Sequence, residues 1–142
     1  MRAVRSRMGV RHFSELTCWK LARALQKEVF RITSKTVFER NRDLRDELRD
    51  AAGSARRTIA EGFGRRTHRD IANFFTMSLT SMNEVEDELG EALDNGNVTD
   101  EEIASALNLK KRAFVATSRF RNSVKDRPDP EWNRWPASKR RT

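Results

Sequence analysis

Residues 71–92 read IANFFTMSLTSMNEVEDELGEA, and within them Ile71, Phe75, Ser78, Met82, Val85, Leu89 and Ala92 recur at alternating spacings of 4 and 3. That period places all seven side chains on one stripe of an α-helix, with the acidic residues between them on the other faces. Asp94-Asn95-Gly96-Asn97 closes the helix, because Asn and Gly accept the left-handed conformation that ends one. At its start Thr67 stands three residues before Asp70, a capping box with Asp in place of Glu.

The same pattern predicts three more helices. Thr99-Asp100-Glu101-Glu102 is a capping box for a helix with apolar residues Ile103, Ala106, Leu107, Ala113, Phe114, Ala116, Phe120 and Val124, which Pro128 and Pro130 bring to an end. Upstream, Leu44, Leu48, Ala51, Ala55 and Ile59 define a helix over about Arg42 to Ala60. Its small residues Ala51, Ala52, Gly53 and Ala55 suit close helix packing, and Gly62 and Gly64 are expected to break it. Earlier still, Cys18, Ala22, Leu25, Val29 and Ile32 form a stripe ending near Thr33, with Ser14 as the expected N-cap. Leu16, Trp19, Leu21 and Phe30 widen that stripe beyond what one neighbour needs. Four amphipathic helices with short connections predict an all-α, up-down-up-down antiparallel four-helix bundle over residues 13–125. A basic arm (1–12) precedes it and a basic tail with Trp and Pro (126–142) follows.

The charge is segregated along the chain. Net charge is +8, yet residues 70–109 hold ten Asp/Glu and no Lys or Arg, while residues 1–69 hold 18 Lys/Arg against 8 Asp/Glu. Residues 110–142 add 11 basic against 3 acidic. An acidic helix beside basic ones offsets part of this, but a basic surplus remains to attract polyanions. The richest cluster is Glu61-Gly62-Phe63-Gly64-Arg65-Arg66-Thr67-His68-Arg69, where guanidinium groups flank a helix N-terminus that could hold a phosphate. Arg56 and Arg57 lie just upstream. In the tail, Trp132 and Trp135 with Lys139, Arg140 and Arg141 combine stacking faces with charge, a mixture suited to single-stranded nucleic acid or to anchoring in a partner's groove.

Enzymatic chemistry is not expected. Neither His12 nor His68 has the Glu three residues before it that a di-metal bundle site requires, and Cys18 is a lone thiol among apolar neighbours, with no base in a recognisable motif. Gly62-Phe63-Gly64 lacks the later Gly and the Lys of a phosphate loop. No cofactor is expected. With no long apolar stretch and no apolar segment after the basic N-terminus, cytoplasmic localisation is the expectation.

The run from Glu47 to Ala55, with Ile59-Ala60-Glu61-Gly62-Phe63-Gly64-Arg65, resembles the signature of the bacterial four-helix-bundle proteins encoded in intervening sequences of large-subunit ribosomal RNA genes. Phe13, Leu16, Trp19 and Ala22 are similar to that family's opening, and Phe74, Phe75, Ser81, Glu84 and Glu86 to its third helix. Thr58 stands where the family usually has Asn, and Leu79-Thr80-Ser81 where it favours Arg-Gly-Ser. The resemblance implies a ring-like homopentamer. It also implies kinship with the accessory variability proteins of diversity-generating retroelements, which bind nucleic acid and a reverse transcriptase. The expected function is therefore a non-enzymatic RNA- or DNA-binding oligomer, with a reverse transcriptase as possible partner. A protein-interaction scaffold whose charge serves only assembly is the alternative.

Overall fold

In the computed structural model, which describes residues 9–129, four α-helices account for most of the chain: α1 (Thr17–Thr33), α2 (Arg42–Phe63), α3 (His68–Asp94) and α4 (Asp100–Val124). Two 3-10 turns, Phe13–Glu15 and Thr36–Arg40, precede α1 and α2. No strand occurs among the described residues.

Cross-helix contacts fix the directions. Between α2 and α3, Ser78 Oγ donates to the Ala55 carbonyl at 2.6 Å and Ser81 Oγ to Ser54 Oγ at 2.9 Å. Between α1 and α2, Arg49 Nε donates to Thr33 Oγ1 at 2.9 Å and Arg56 Nε to Gln26 Oε1 at 2.7 Å. Between α3 and α4, Lys110 meets Glu86 at 2.6 Å and the Phe75 and Phe120 rings stack with centroids 4.8 Å apart. In each pair numbers rise on one helix as they fall on the other, so sequential neighbours are antiparallel. α1 packs against both α2 and α4, which closes the four-cornered bundle.

All seven residues of the α3 stripe are buried, as are Cys18, Ala22, Leu25, Val29 and Ile32 of α1. The core has two lobes. One joins Leu25, Val29, Ile32, Phe38, Leu44, Leu48, Val85 and Leu89 near the α1–α2 and α3–α4 connections. The other joins Leu16, Ile59, Phe63, Ile71, Phe75 and Met82 near the α2–α3 corner.

Caps at Thr67 and Thr99 form as the spacing predicts: Thr67 Oγ1 accepts from Asp70 N at 3.0 Å, and Thr99 with Glu102 makes the full reciprocal box. Gly96 takes φ +77° in the turn after α3, with Asn97 N bonded back to the Ala92 carbonyl.

α4 ends at Val124, the last residue of its expected apolar set. Two local expectations are corrected. Ser14 does not cap α1; it lies in the first 3-10 turn, where its backbone N–H bonds the His12 ring, and Leu16 takes the cap position. Nor does Gly62 break α2, which runs on to Phe63. A Cβ on Gly62 would lie 2.6 Å from Phe74 Cβ and 3.1 Å from the Phe75 ring. This glycine therefore serves close approach of α3 and not a change of chain direction. Gly53 is different: a Cβ there would meet first the far end of the Arg57 side chain, so it is not where the helices need room.

Gly62→Ala follows as a sign test. In an open helix, Ala for Gly stabilises by about 1 kcal/mol. Here Phe74 Cβ is fixed to the α3 backbone and cannot swing aside, so overpacking of about 1–3 kcal/mol should prevail. Urea denaturation should show a lower midpoint; a raised midpoint would mean that α3 sits farther from Gly62.

Candidate nucleic-acid interface

The basic residues grouped by sequence divide between two places. Arg56 and Arg57 lie in the middle of α2, whereas Arg65, Arg66 and Arg69 lie two turns on, at the α2–α3 corner. Trp132, Trp135, Lys139, Arg140 and Arg141 lie outside the described residues.

In the middle of the bundle, Arg56 is one of a row. Arg45, Arg49 and Arg56 are spaced 4 and 7 apart, so they share one flank of α2 over about 16 Å. That flank faces α1, whose Phe30 ring lies against it. The Arg49 guanidinium lies 4.6 Å from the Phe30 ring centroid, and the Arg23 guanidinium 5.9 Å from that of Trp19. Phe30 remains 41% exposed. Trp19 is half-buried, with its ring 5.3 Å from Phe13. The hydrogen bonds from Arg49 to Thr33 and from Arg56 to Gln26 each use a single Nε–H. A guanidinium has five N–H donors in a planar fork, so the outer edge of each can still meet a phosphate oxygen. Arg57, about 100° further round the helix, is exposed and folds over Gly53.

Arg23 and Arg49 do not stand out in the sequence. The 45/49/56 spacing is visible there. What is not visible is that α1 brings Arg23, Trp19 and Phe30 to the same flank. Of the residues that widen the α1 stripe, Trp19 lies against Phe13 and Arg23 and stays part-exposed, and Phe30 touches Arg49 and stays exposed.

At the corner, Arg65 stacks on Phe74 with 4.4 Å between guanidinium and ring centroid. Two of the first N–H groups of α3 are already taken by the chain itself. His68 N donates to Asp129 Oδ1 at 2.7 Å, and Asp70 N donates to the Thr67 hydroxyl. The His68 ring lies 3.2 Å from the Arg127 carbonyl. The chain after α4 thus returns to seat a carboxylate on the helix terminus, where the sequence suggested an external anion. Arg65, Arg66 and Arg69 keep their place at the corner, but the anion there is the chain's own.

The acidic segment mostly turns outward. It reaches basic helices through the ion pairs Lys35–Glu102 and Lys110–Glu86. Glu88 is half-buried, and one of its carboxylate oxygens has no partner. Burial, then Glu47, Glu84, Asp87 and Glu91, pushes its carboxyl up to about 7. Glu88 is therefore not a simple solvated carboxylate. Burial also pushes the Cys18 thiol up to about 11, which leaves it protonated and inert at neutral pH.

Among the described residues no three His, Cys, Asp or Glu side chains are placed to share a metal ion, and no helix is long and apolar enough to cross a membrane. A protein-family model described as 23S rRNA-intervening sequence protein matches residues 14–115, from the first 3-10 turn to the middle of α4. No curated protein matches the chain.

Proposed function

The chain belongs to the 23S rRNA-intervening sequence protein family, and from that premise we propose that it is a nucleic-acid-binding oligomer without catalytic activity. The observation that carries this reading is the basic and aromatic flank of α1 and α2, where Arg49 and Arg56 of α2 reach across to Phe30 and Gln26 of α1 and Arg23 lies over Trp19 on α1 itself. Guanidinium groups follow a phosphate backbone while aromatic faces stack on unpaired bases, the combination that single-stranded RNA or DNA binding uses. Arg57, with Arg65, Arg66 and Arg69 at the corner, extends the positive field.

A ring needs two different contact patches on each subunit. Met77 on α3 and Val115 on α4, 50% and 42% exposed, supply apolar surface away from the basic flank. Five subunits is the number that the resemblance supplies. Service to a reverse transcriptase belongs to the same proposal and is carried by the resemblance alone.

One observation favours a second reading, a protein-interaction scaffold. The acidic patch of Glu47, Glu84, Asp87 and Glu91 around Glu88 would suit a basic partner surface.

Fluorescence anisotropy with a labelled single-stranded RNA separates the two. Arg49→Ala with Arg56→Ala, and separately Arg65→Ala with Arg66→Ala, should weaken binding across sequences. Each arginine removed from a phosphate should also make the salt dependence shallower, by about one in the log–log slope. Circular dichroism and light scattering should show helicity and assembly retained. Unchanged affinity in both well-folded pairs would move the function to the scaffold reading.

A further inference from the structure

A second basic surface lies on the far side of the corner, between α3 and α4. Arg69, Asn73 and Thr76 follow one another at spacings of 4 and 3 on α3, and Arg121 and Lys125 are one turn apart at the end of α4. These side chains, with Asp126, line a depression of about 380 Å³. Among the described residues Arg69, Arg121 and Lys125 form no ion pair. Arg121 makes one hydrogen bond, from Nε to Asn122 Oδ1 at 3.2 Å, leaving its other N–H groups available. Three cations set around one polar hollow repel one another unless an anion joins them.

We propose that this groove binds a phosphate monoester and, resting on the nucleic-acid reading above, that the monoester is the terminal phosphate of a strand. Charge selects the species. Arg69, Arg121 and Lys125 against Asp126 leave a lining of net +2, which matches a monoester of about −1.5 to −2 better than a single phosphodiester link. The donor set agrees: two guanidinium groups, an ammonium and the Asn73 amide face an acceptor-only ligand with three oxygens. The Thr76 hydroxyl donates to the Ala72 carbonyl at 3.0 Å and so marks the wall without reading the phosphate. Among the described residues no aromatic ring lines the hollow, so what they offer is charge and hydrogen bonds for the phosphate itself. Arg121 and Lys125 lie beyond the residues matched by the family model, so the site is read from this chain alone.

The test uses the full chain and one labelled single-stranded oligonucleotide carrying either a 5′-phosphate or a 5′-hydroxyl. The phosphorylated strand should bind about tenfold tighter, the scale of one charge-assisted hydrogen bond. Arg121→Gln with Lys125→Gln should abolish that difference while leaving the hydroxyl strand's affinity within about twofold. Lys20→Gln with Lys27→Gln removes the same charge from the exposed face of α1 and should preserve the difference. Equal binding of the two strands by wild type, or a difference that survives in the Arg121/Lys125 variant, overturns the proposal. A nucleotide monophosphate that competes as strongly as the phosphorylated strand supports the groove and identifies a free nucleotide as its source. If wild type binds neither strand, the nucleic-acid reading fails by itself, and titration with AMP then decides the groove. Shifts of the Asn73 side-chain amide in NMR spectra, absent in the Arg121/Lys125 variant, support it; no shift in wild type overturns it.

Discussion

Phe38→Ala should lose about 3–5 kcal/mol of stability, the usual range for truncating a fully buried phenylalanine. Phe38 sits in the 3-10 turn Thr36–Arg40, outside every helix, yet it is 0% exposed and belongs to the lobe of the core built from Leu25, Val29, Leu44, Leu48 and Leu89. Its position is held from both sides: Phe38 N bonds the Lys35 carbonyl and Asn41 N bonds the Phe38 carbonyl, each at 3.0 Å. Asn41 in turn donates to Asn97 Oδ1 at 2.9 Å, tying this connection to the α3–α4 turn. The surrounding backbone is thus poorly placed to collapse into the space left by the ring, which puts the cost toward the upper end. Because domains of this size are stable by only about 5–15 kcal/mol, the variant should melt at a much lower temperature or fail to fold. Phe38→Leu, which keeps most of the volume, should cost less. A Phe38→Ala protein that unfolds at the wild-type denaturant midpoint would show that the connection does not plug the bundle.

Phe38 also marks where sequence reasoning stops. Four helices are legible because each carries its signal locally: a 3.6-residue apolar period and, at Thr67 and Thr99, a cap set by residues three apart. A five-residue 3-10 turn has no period to detect, so one apolar side chain in it looks the same whether it plugs a core or faces water. Gly62 departs from its expected role for a related reason. Glycine is a helix breaker by propensity, but here the approach of Phe74 and Phe75 from α3 decides the matter, and that is a tertiary fact.

The candidate site shows the same division. Arg56 and Arg57 are neighbours in sequence, yet consecutive helical residues diverge by about 100°, so Arg56 bonds Gln26 of α1 directly while Arg57 reaches that flank only by folding back over Gly53. Arg49, about two turns away, also bonds α1. At the corner, the arginines and the helix N-terminus are visible in sequence as a phosphate site. Asp129, which takes the His68 N–H, comes from 61 residues farther along the chain, and nothing local announces it.

The largest functional effect expected is on salt dependence. If Arg23, Arg49, Arg56, Arg57, Arg65, Arg66 and Arg69 each neutralise one phosphate, the log–log slope should be about −5 to −6, at roughly −0.7 to −0.9 for each phosphate. A fourfold rise in salt should then lower affinity by about 10³. Stacking on Trp19 and Phe30 adds affinity without adding to the slope, since bases carry no charge and release no condensed counterions. Preference for single strands over duplex should therefore persist as salt rises, while affinity for both falls. A scaffold whose charges are used in assembly predicts something else: salt would change the mass of the particle and leave nucleic acid unbound. The most direct measurement is an anisotropy titration of wild-type protein against one single-stranded RNA at several salt concentrations, with light scattering on the same samples. Binding at low salt with a steep negative slope at constant particle mass is the predicted result; protein that ignores the RNA at low salt, or binds it with no dependence on salt, would contradict the account.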